Sequence, residues 1–519
     1  MSRQSRLLAL AFVTLSFCLA AALVRAAQDP AAAAAEEQAR MEQAAKEADA
    51  EMAAQAAKEK AAAMADQAKL VAEEAAKAAA EAKARGDKAA EEAANALLKK
   101  AQADRIAAEA ALAAAGKSPA ANPAKPFPGN PLCNPDFVPV FVNVQNLTEA
   151  PIYAAAGINC YDSIDDIVEQ PADPRQFAAN AETLKKLRDC GIYLVADQSV
   201  WGRLKDNPAI VGWVSPVDEP DNIQDKSDKA MPLDAYLAQS KTIKEFDPAK
   251  PYFVCFGQGL INDLFKGRGI DRSEYPKYMA PVDFIQYDVY PITNSKREDG
   301  EKHLELVGQG VSRIREWTDN KKPVMCWIET THINDAKHAP TPSQTACEVW
   351  ITMVHGARGV GYFCHDFTAP KELGRARALS RDKDMLAQLK VTNAKLQKLA
   401  RIISAPLAAE PAEAKVAPPA AGAAAGKVIF STKNVTAPAA PAPASGPAPP
   451  PGLAATEKYL AVLAVNVLGD AAKATIPVAG LKKGTKVEVL EESRTVTADD
   501  GSLTDDFAPY QEHVYKIGQ

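Results

Sequence analysis

The chain has 519 residues, too many for one ordinary domain and enough for about three or four. Hydrophobic residues make up 47% and charged residues 24%, but 37 prolines outnumber 27 glycines and aromatics reach only 6%, so parts of the chain cannot build a core. Lys+Arg number 60 against 66 Asp+Glu, a net charge of −6 that gives no general attraction for phosphate backbones and argues against a nucleic-acid partner.

In chain order, Arg3 and Arg6 precede an apolar run from Leu7 to Val24, and Val24-Arg25-Ala26 offers small residues for cleavage. Residues 1–26 therefore read as a signal peptide, with an uncleaved anchor as the alternative because the run is long. It is the single run long enough to cross a bilayer, which excludes a multi-span membrane protein. Phe17 before Cys18 is too large for a lipoprotein cleavage site. The expectation is an exported protein (periplasmic, cell-surface or extracellular) in an oxidising compartment. Of the 8 cysteines, Cys160, Cys255, Cys326 and Cys364 sit in apolar strand-like runs and read as buried thiols, while Cys133 is a candidate to pair with another surface cysteine. No CxxC spacing appears, and the scattered histidines include no metal pattern. No metal or cofactor is expected.

Residues 31–115 are about half alanine, filled out with Glu, Lys and Gln, without proline and with Gly86 as the one glycine. This is a long helix by composition, about 130 Å if continuous. Its large apolar residues, among them Met41, Leu70, Leu97 and Ile106, keep no clean heptad. Two readings follow: a solvated helical spacer, or a coiled-coil stalk that self-associates or ties the protein to the cell envelope. Residues 116–131 carry Pro119, Pro123, Pro126, Pro128 and Pro131 and form a semi-rigid linker.

From 132 to 404 apolar β-rich runs alternate with helical periods. The runs are Val138–Val144, Gly157–Tyr161, Ile192–Ala196, Ile210–Val217, Tyr252–Phe256, Phe284–Tyr290, Pro323–Ile328 and Gly359–Phe363. The helical periods fall at Gln176–Cys190, Leu233–Phe246, His303–Trp317, Ser343–His355 and Lys371–Ile403. Eight strands in this rhythm predict a (β/α)8 TIM barrel within an α/β chain. A doubly wound sheet is the alternative, but no glycine-rich phosphate loop follows the first strand. An Ala/Pro linker is expected over 405–425, then a small β-sandwich over 426–519 with a disordered Pro/Ala loop at 437–453.

Reactive groups in such a barrel project from the C-terminal strand ends. The fourth run ends Trp213-Val-Ser-Pro-Val-Asp218-Glu219-Pro220 and the seventh ends Trp327-Ile328-Glu329-Thr-Thr-His332. Two glutamates across one mouth suit glycosidic-bond hydrolysis: one protonates the leaving oxygen, the other attacks the anomeric carbon or activates water. The acid must hold its proton near neutral pH, and Trp213, Pro220 or the facing Glu329 could arrange that.

These motifs resemble the clan A glycoside hydrolases, with Glu219 at the acid/base position after strand four and Glu329 at the nucleophile position after strand seven. Phe284-Ile-Gln-Tyr287-Asp288-Val-Tyr290-Pro291 resembles their strand-six end, and Gly359-Val-Gly361-Tyr362-Phe363 their strand eight. The closing Phe507-Ala-Pro-Tyr510…His513-Val-Tyr515 resembles the small sandwich often attached to these barrels, so the resemblance covers residues 132 to 519. It implies an exported, retaining glycoside hydrolase acting on a β-linked poly- or oligosaccharide. The chain departs from the pattern in carrying Asp218 where most members have Asn, and in having no Arg in Gly157-Ile-Asn-Cys160-Tyr161-Asp162 near the end of strand two.

Further substrate-binding candidates follow from position. Asp162 and Asp197 sit just after strands two and three, and Trp201, Trp213 and Trp327 could stack on sugar faces. Tyr287 and Tyr290 are assigned to one face, with Asp288 on the other. His332 and His365 follow strands seven and eight. Two other functions stay open: a barrel that binds polysaccharide without cutting it, and a structural envelope protein whose working part is the helical stalk.

Overall fold

The computed structural model describes residues 127–164, 174–222, 230–265, 269–370, 375–418, 424–438 and 456–518, together with Lys77, Arg85 and Lys88, which are helical. The expected signal peptide, nearly all of the Ala-rich stretch and the linker as far as residue 126 lie outside these. All but those three residues belong to the second of two units, Ala120–Gln519. Among the described residues no helix is long and apolar enough to cross a membrane.

Eight parallel strands close a barrel in sequential order: β1 Val140–Gln145, β2 Cys160–Ile164, β3 Tyr193–Ala196, β4 Ile210–Val214, β5 Tyr252–Phe256, β6 Phe284–Asp288, β7 Val324–Glu329 and β8 Gly359–Phe363. β8 pairs back onto β1, with Val140 opposite Val360 and Val142 opposite Tyr362. Period-two alternation fills the lumen with Phe141, Cys160, Val195, Phe253, Phe284 and Met325. The alternate positions, such as Val142, Tyr161 and Leu194, join a second core under the helices. Gly361 lets the Trp327 ring lie against β8, since a Cβ there would stand 2.3 Å from the ring.

The outer layer includes α1 Ala150–Ala155, α2 Pro174–Asp189, α3 Gln198–Trp201, α4 Leu233–Phe246, α5 Tyr275–Met279, α6 Leu306–Trp317, α7 Pro342–Val354, α8 Ala378–Arg381, α9 Lys383–Lys398 and α10 Ala400–Ser404. α7 begins where Thr341 and Gln344 form a reciprocal capping box with Pro342 in the first turn. The expected single helix over 371–403 is broken. Asp382 caps a new start, accepting from the Asp384 and Met385 N–H groups.

The C-terminal part is an antiparallel sandwich of six and three strands. One sheet orders β15 Arg494–Thr497, β14 Lys486–Val489, β17 Glu512–Gly518, β12 Thr456–Asn466, β11 Val428–Pro438 and β9 Leu407–Glu413; the other orders β10 Lys415–Val416, β13 Ala472–Pro477 and β16 Ser502–Phe507. The sandwich begins earlier than composition suggests: Leu407–Glu413, inside the expected linker, pairs along β11. β11 likewise runs to Pro438, and residues 439–453 of the expected loop lie outside the described residues. Cys347 on α7 contacts the Asn466 carbonyl, and Lys395 on α9 pairs with Glu512 at 3.0 Å, so barrel helices and sandwich share an interface.

No disulfide joins the seven described cysteines. Cys160, Cys326, Cys347 and Cys364 are buried. Cys255, expected among them, is half-buried.

Candidate active site

All eight strands contribute to one cleft of about 260 Å³ at their C-terminal ends. β1 brings Asn143 and Val144, β2 brings Asp162 and Ser163, and Asp197 follows β3. The segment after β4 brings Asp218 and Glu219; β5 supplies Cys255; β6 supplies Gln286, Asp288 and, just beyond it, Tyr290. Trp327 from β7 and Phe363 from β8 complete the wall. Five carboxyl side chains thus converge, with no Lys, Arg or His among the lining residues. Three of the residues lining it hold left-handed backbone without being glycine: Val144 at φ +35°, Ser163 at +64° and Glu219 at +46°. For β-branched Val144 this is an outlier. Strain of about 1–3 kcal/mol per residue persists where surrounding structure enforces it, and it concentrates at functional sites.

Glu219 is held by its surroundings. Asn222 Nδ2 donates to its Oε2 at 2.6 Å, and the Asp288 carboxyl hydrogen-bonds to it. Gly257 after β5 leaves room for this carboxylate, since a Cβ there would stand 2.9 Å from Oε2. Beneath, buried Asp221 accepts from Tyr275 Oη at 2.7 Å and from Gly257 N–H at 3.1 Å, and burial with the Glu219 charge pushes its carboxyl up to about 8. Burial, then the charges of Glu219 and Asp218, hold Asp288 well above the carboxylate range, and its Oδ1 has no hydrogen-bond partner. Asp288 is therefore held protonated beside Glu219.

Asp162 stands across the lumen on β2. Gln286 of β6 reaches its Oδ2 at 2.9 Å, and desolvation raises its carboxyl to about 6. Asp218 is open to solvent at the cleft mouth, yet enough protein surrounds it that desolvation, then the Glu219 and Asp162 charges, raise it to about 7. Asp197 lines the cleft while capping α3 through Ser199 N–H at 2.7 Å, so its ordinary capping role and its cleft position coincide. Among the described residues no cluster could hold a metal ion.

Glu329 is not among the lining residues and is 0% exposed. Its Oε1 accepts from Ile292 N–H at 2.8 Å, and its Oε2 from Thr293 N–H at 2.9 Å and Thr293 Oγ1 at 2.6 Å. Glu348 of α7 lies against it, and burial with the Glu329 charge holds Glu348 far above the usual range, hence neutral. Where the sequence suggested a glutamate facing Glu219, the structure has a carboxylate clamping the loop after β6 to the helix layer.

The aromatic candidates divide. Trp327 and Tyr290 line the cleft; Trp201 and Trp213 do not. β4 carries a register shift at Val211, which places Val211 on the lumen side and turns Trp213 outward. There its Nε1 bonds Asp247 Oδ2 at 3.1 Å and its ring meets Phe246 edge-on. Trp201 is buried beneath the helix layer. Tyr287 and Tyr290 are three residues apart, an odd offset that separates their faces: Tyr287 donates to the Val307 carbonyl on α6, while Asp288 and Tyr290 share the cleft. His332 points into its own loop, against the Asp335 and His338 carbonyls, and His365 packs behind Val144 and Phe363. The strand-end rule applied to β6 would have singled out Asp288. Gln286 and Asn143 carried no comparable signal, because lumen-facing amides look like any strand residue.

No family model matches the chain, and no curated protein matches it. Among solved structures, a protein described as a glycoside hydrolase is 12% identical, with 74% of this chain and 93% of that one covered at a TM-score of 0.45. A glucosidase from Croceicoccus marinus is 12% identical, covering 71% and 91% at 0.36. A family 39 glycoside hydrolase from Bacteroides cellulosilyticus is 12% identical, covering 74% and 82% at 0.38. Similarities this low carry no argument about chemistry, which rests on the cleft itself.

Proposed function

We propose that the protein is a glycoside hydrolase whose two carboxyl stations are the Glu219–Asp288 pair on one side of the cleft and Asp162 on the other. The observation that carries this is the convergence of five carboxyl groups from four strand ends on one strained cleft, with Asp288 held protonated beside Glu219. Glycosidic cleavage needs a protonated acid at the leaving oxygen and an ionised carboxylate across the sugar ring. Asp288, kept protonated by burial and then by the Glu219 and Asp218 charges, hydrogen-bonds to Glu219 and supplies the proton of the acid station. Asp162, raised only to about 6, is ionised at neutral pH and supplies the nucleophile or base. Asp218 and Asp197 are placed to accept hydrogen bonds from sugar hydroxyls, and Trp327 and Tyr290 offer aromatic faces. The substrate class is a poly- or oligosaccharide; retention, a β-linkage and export are parts of the same reading.

The test is an aryl glycoside panel assayed with wild type, Glu219→Gln, Asp162→Asn and Glu329→Gln. The proposal expects losses of about 10²–10⁴-fold for the first two at unchanged melting temperature, with activity retained by folded Glu329→Gln. Loss of activity in folded Glu329→Gln with Asp162→Asn active would return the second role to Glu329. Identical background rates in all four proteins would leave a barrel that holds glycan without cutting it.

A further inference from the structure

The cleft carries one sign of charge. Asp162, Asp197, Asp218, Glu219 and Asp288 line it, and no Lys, Arg or His does. Several basic residues on the loops above the strands are turned to other partners. After β5, Arg272 bonds Asp263 at 2.8 Å; after β6, Lys296 lies over the Phe265 ring at 4.3 Å; after β8, Arg377 pairs with Glu149 at 3.5 Å. The layer beneath brings no cation either. Gln286, 0% exposed, gives its amide N–H to Asp162 Oδ2 and keeps Oε1 without a hydrogen-bond partner, so it adds one more acceptor. Burial raises the Asp162 and Asp218 carboxyls, that of Asp218 also through the Glu219 and Asp162 charges, and no positive charge offsets the rise in either.

A cleft of one sign focuses its field on an incoming ligand. It opposes a sugar that bears carboxylate or sulfate, because like charges brought together are costly. Nor is its pattern that of a metal site: among the described residues no group of three could hold a metal ion, so the charge is spread along the cleft and not focused on one point. Two of the carboxyls stand apart from the stations assigned to cleavage. Asp218 is exposed at the mouth, and half-buried Asp197 spends Oδ1 on the Ser199 N–H, which leaves Oδ2. On the β8 side, half-buried Phe363 and Phe367, 43% exposed, have ring centroids 6.1 Å apart and offer an aromatic edge to sugar faces and to ammonium groups.

We infer that the glycan taken by this cleft is a cationic amino-sugar oligosaccharide, with free ammonium groups on Asp197 and Asp218 and ring faces on Phe363 and Phe367. This rests on the cleft being a sugar site, the reading proposed above, and narrows it to a glycan whose amines are unacylated.

The test is calorimetric titration of the full chain at pH 6.5 with a hexamer of glucosamine. The controls are the N-acetylated hexamer, cellohexaose and pentalysine. The glucosamine hexamer should bind at least about tenfold more tightly than each control, with an affinity that falls as salt is raised. Asp218→Asn, a change at an exposed side chain, should weaken that binding by about five- to tenfold and flatten its salt dependence. Phe367→Ala should weaken it without altering the salt dependence. No binding of the glucosamine hexamer, or equal binding of any control, would overturn the inference. Hydrolysis is read separately, by chromatography of the products. A glucosamine hexamer that binds and is not cut upholds the inference and removes the hydrolase reading, whereas cellohexaose cut by a protein that does not bind the glucosamine hexamer does the reverse.

Discussion

Glu329 and Glu219 show how much a carboxylate's partners decide its work. Glu329 has both oxygens filled by two backbone N–H groups and a hydroxyl, with no cleft surface. Replacing it by Gln puts an amide donor against at least one of those donors. The expected result is a stability loss of about 1–3 kcal/mol, read from urea midpoints, with kcat of the folded fraction near wild type. Glu219 keeps its place because Gly257 has no Cβ. Gly257→Ala should displace the carboxylate and Asn222, lowering kcat more than it changes KM while melting stays within a few degrees; an unchanged kcat would free Glu219 of that positioning. The pH dependence follows from Asp162. Its folded value near 6 means it protonates, and stops acting as base or nucleophile, as pH falls through 6. The acidic limb of kcat/KM should therefore lie near pH 6 and stay there in Asp218→Asn. A limb near pH 4 would assign the ionised role to an unshifted carboxylate.

At the scale of elements, the barrel was readable because its signal is redundant. Tyr252–Phe256, Gly359–Phe363 and Leu233–Phe246 occupy the spans that periodicity assigns them, since fully buried parallel strands read as continuous apolar runs between helical periods. The sandwich edges were not readable. Leu407–Glu413 is Ala, Pro and Glu after one Leu, with no buried residue, Arg494–Thr497 is exposed or half-buried throughout, and both are terminal strands of their sheet, where pairing needs no apolar face. The cleft was half readable. Strand ends pointed to Asp162, Asp197, Asp218 and Glu219, but the β4 bulge that reverses Trp213 depends on register, which no local pattern carries. That bulge separates two tryptophans the sequence treats alike. Trp213→Ala should cost about 3–5 kcal/mol of stability with KM unchanged, whereas Trp327→Ala should raise KM for oligosaccharides. Equal effects on KM would mean that Trp213 reaches substrate after all.

At the scale of the whole molecule, barrel and sandwich are joined through charge as well as apolar contact. Lys427 of the sandwich meets Glu305 beside α6 at 2.6 Å, and Arg315 of α6 meets Glu410 of β9 at 3.0 Å. Lys433 lies in the same junction without a carboxylate of its own. Burial, then the nearby Arg315 and Arg358 charges, lower its ammonium to about 7, against about 10.4 for a free lysine. Between those values the unfolded chain holds a proton that the folded chain lacks, so folding stability rises with pH across that window. Below about pH 7 both states are protonated, and the folded protein carries the whole cost of an enclosed charge. Full release would amount to a few kcal/mol, on the order of 1.4 kcal/mol per pH unit of separation. Lys322, lowered to about 8, contributes in the same direction, so the informative quantity is the difference between wild type and Lys433→Met. That variant should have the higher urea midpoint at pH 6.5, and its advantage should shrink steadily toward pH 9.5 as wild-type Lys433 sheds its proton. Parallel stability curves for the two proteins would show that Lys433 is charged at neutral pH in both folded and unfolded states, and that the junction accommodates its charge.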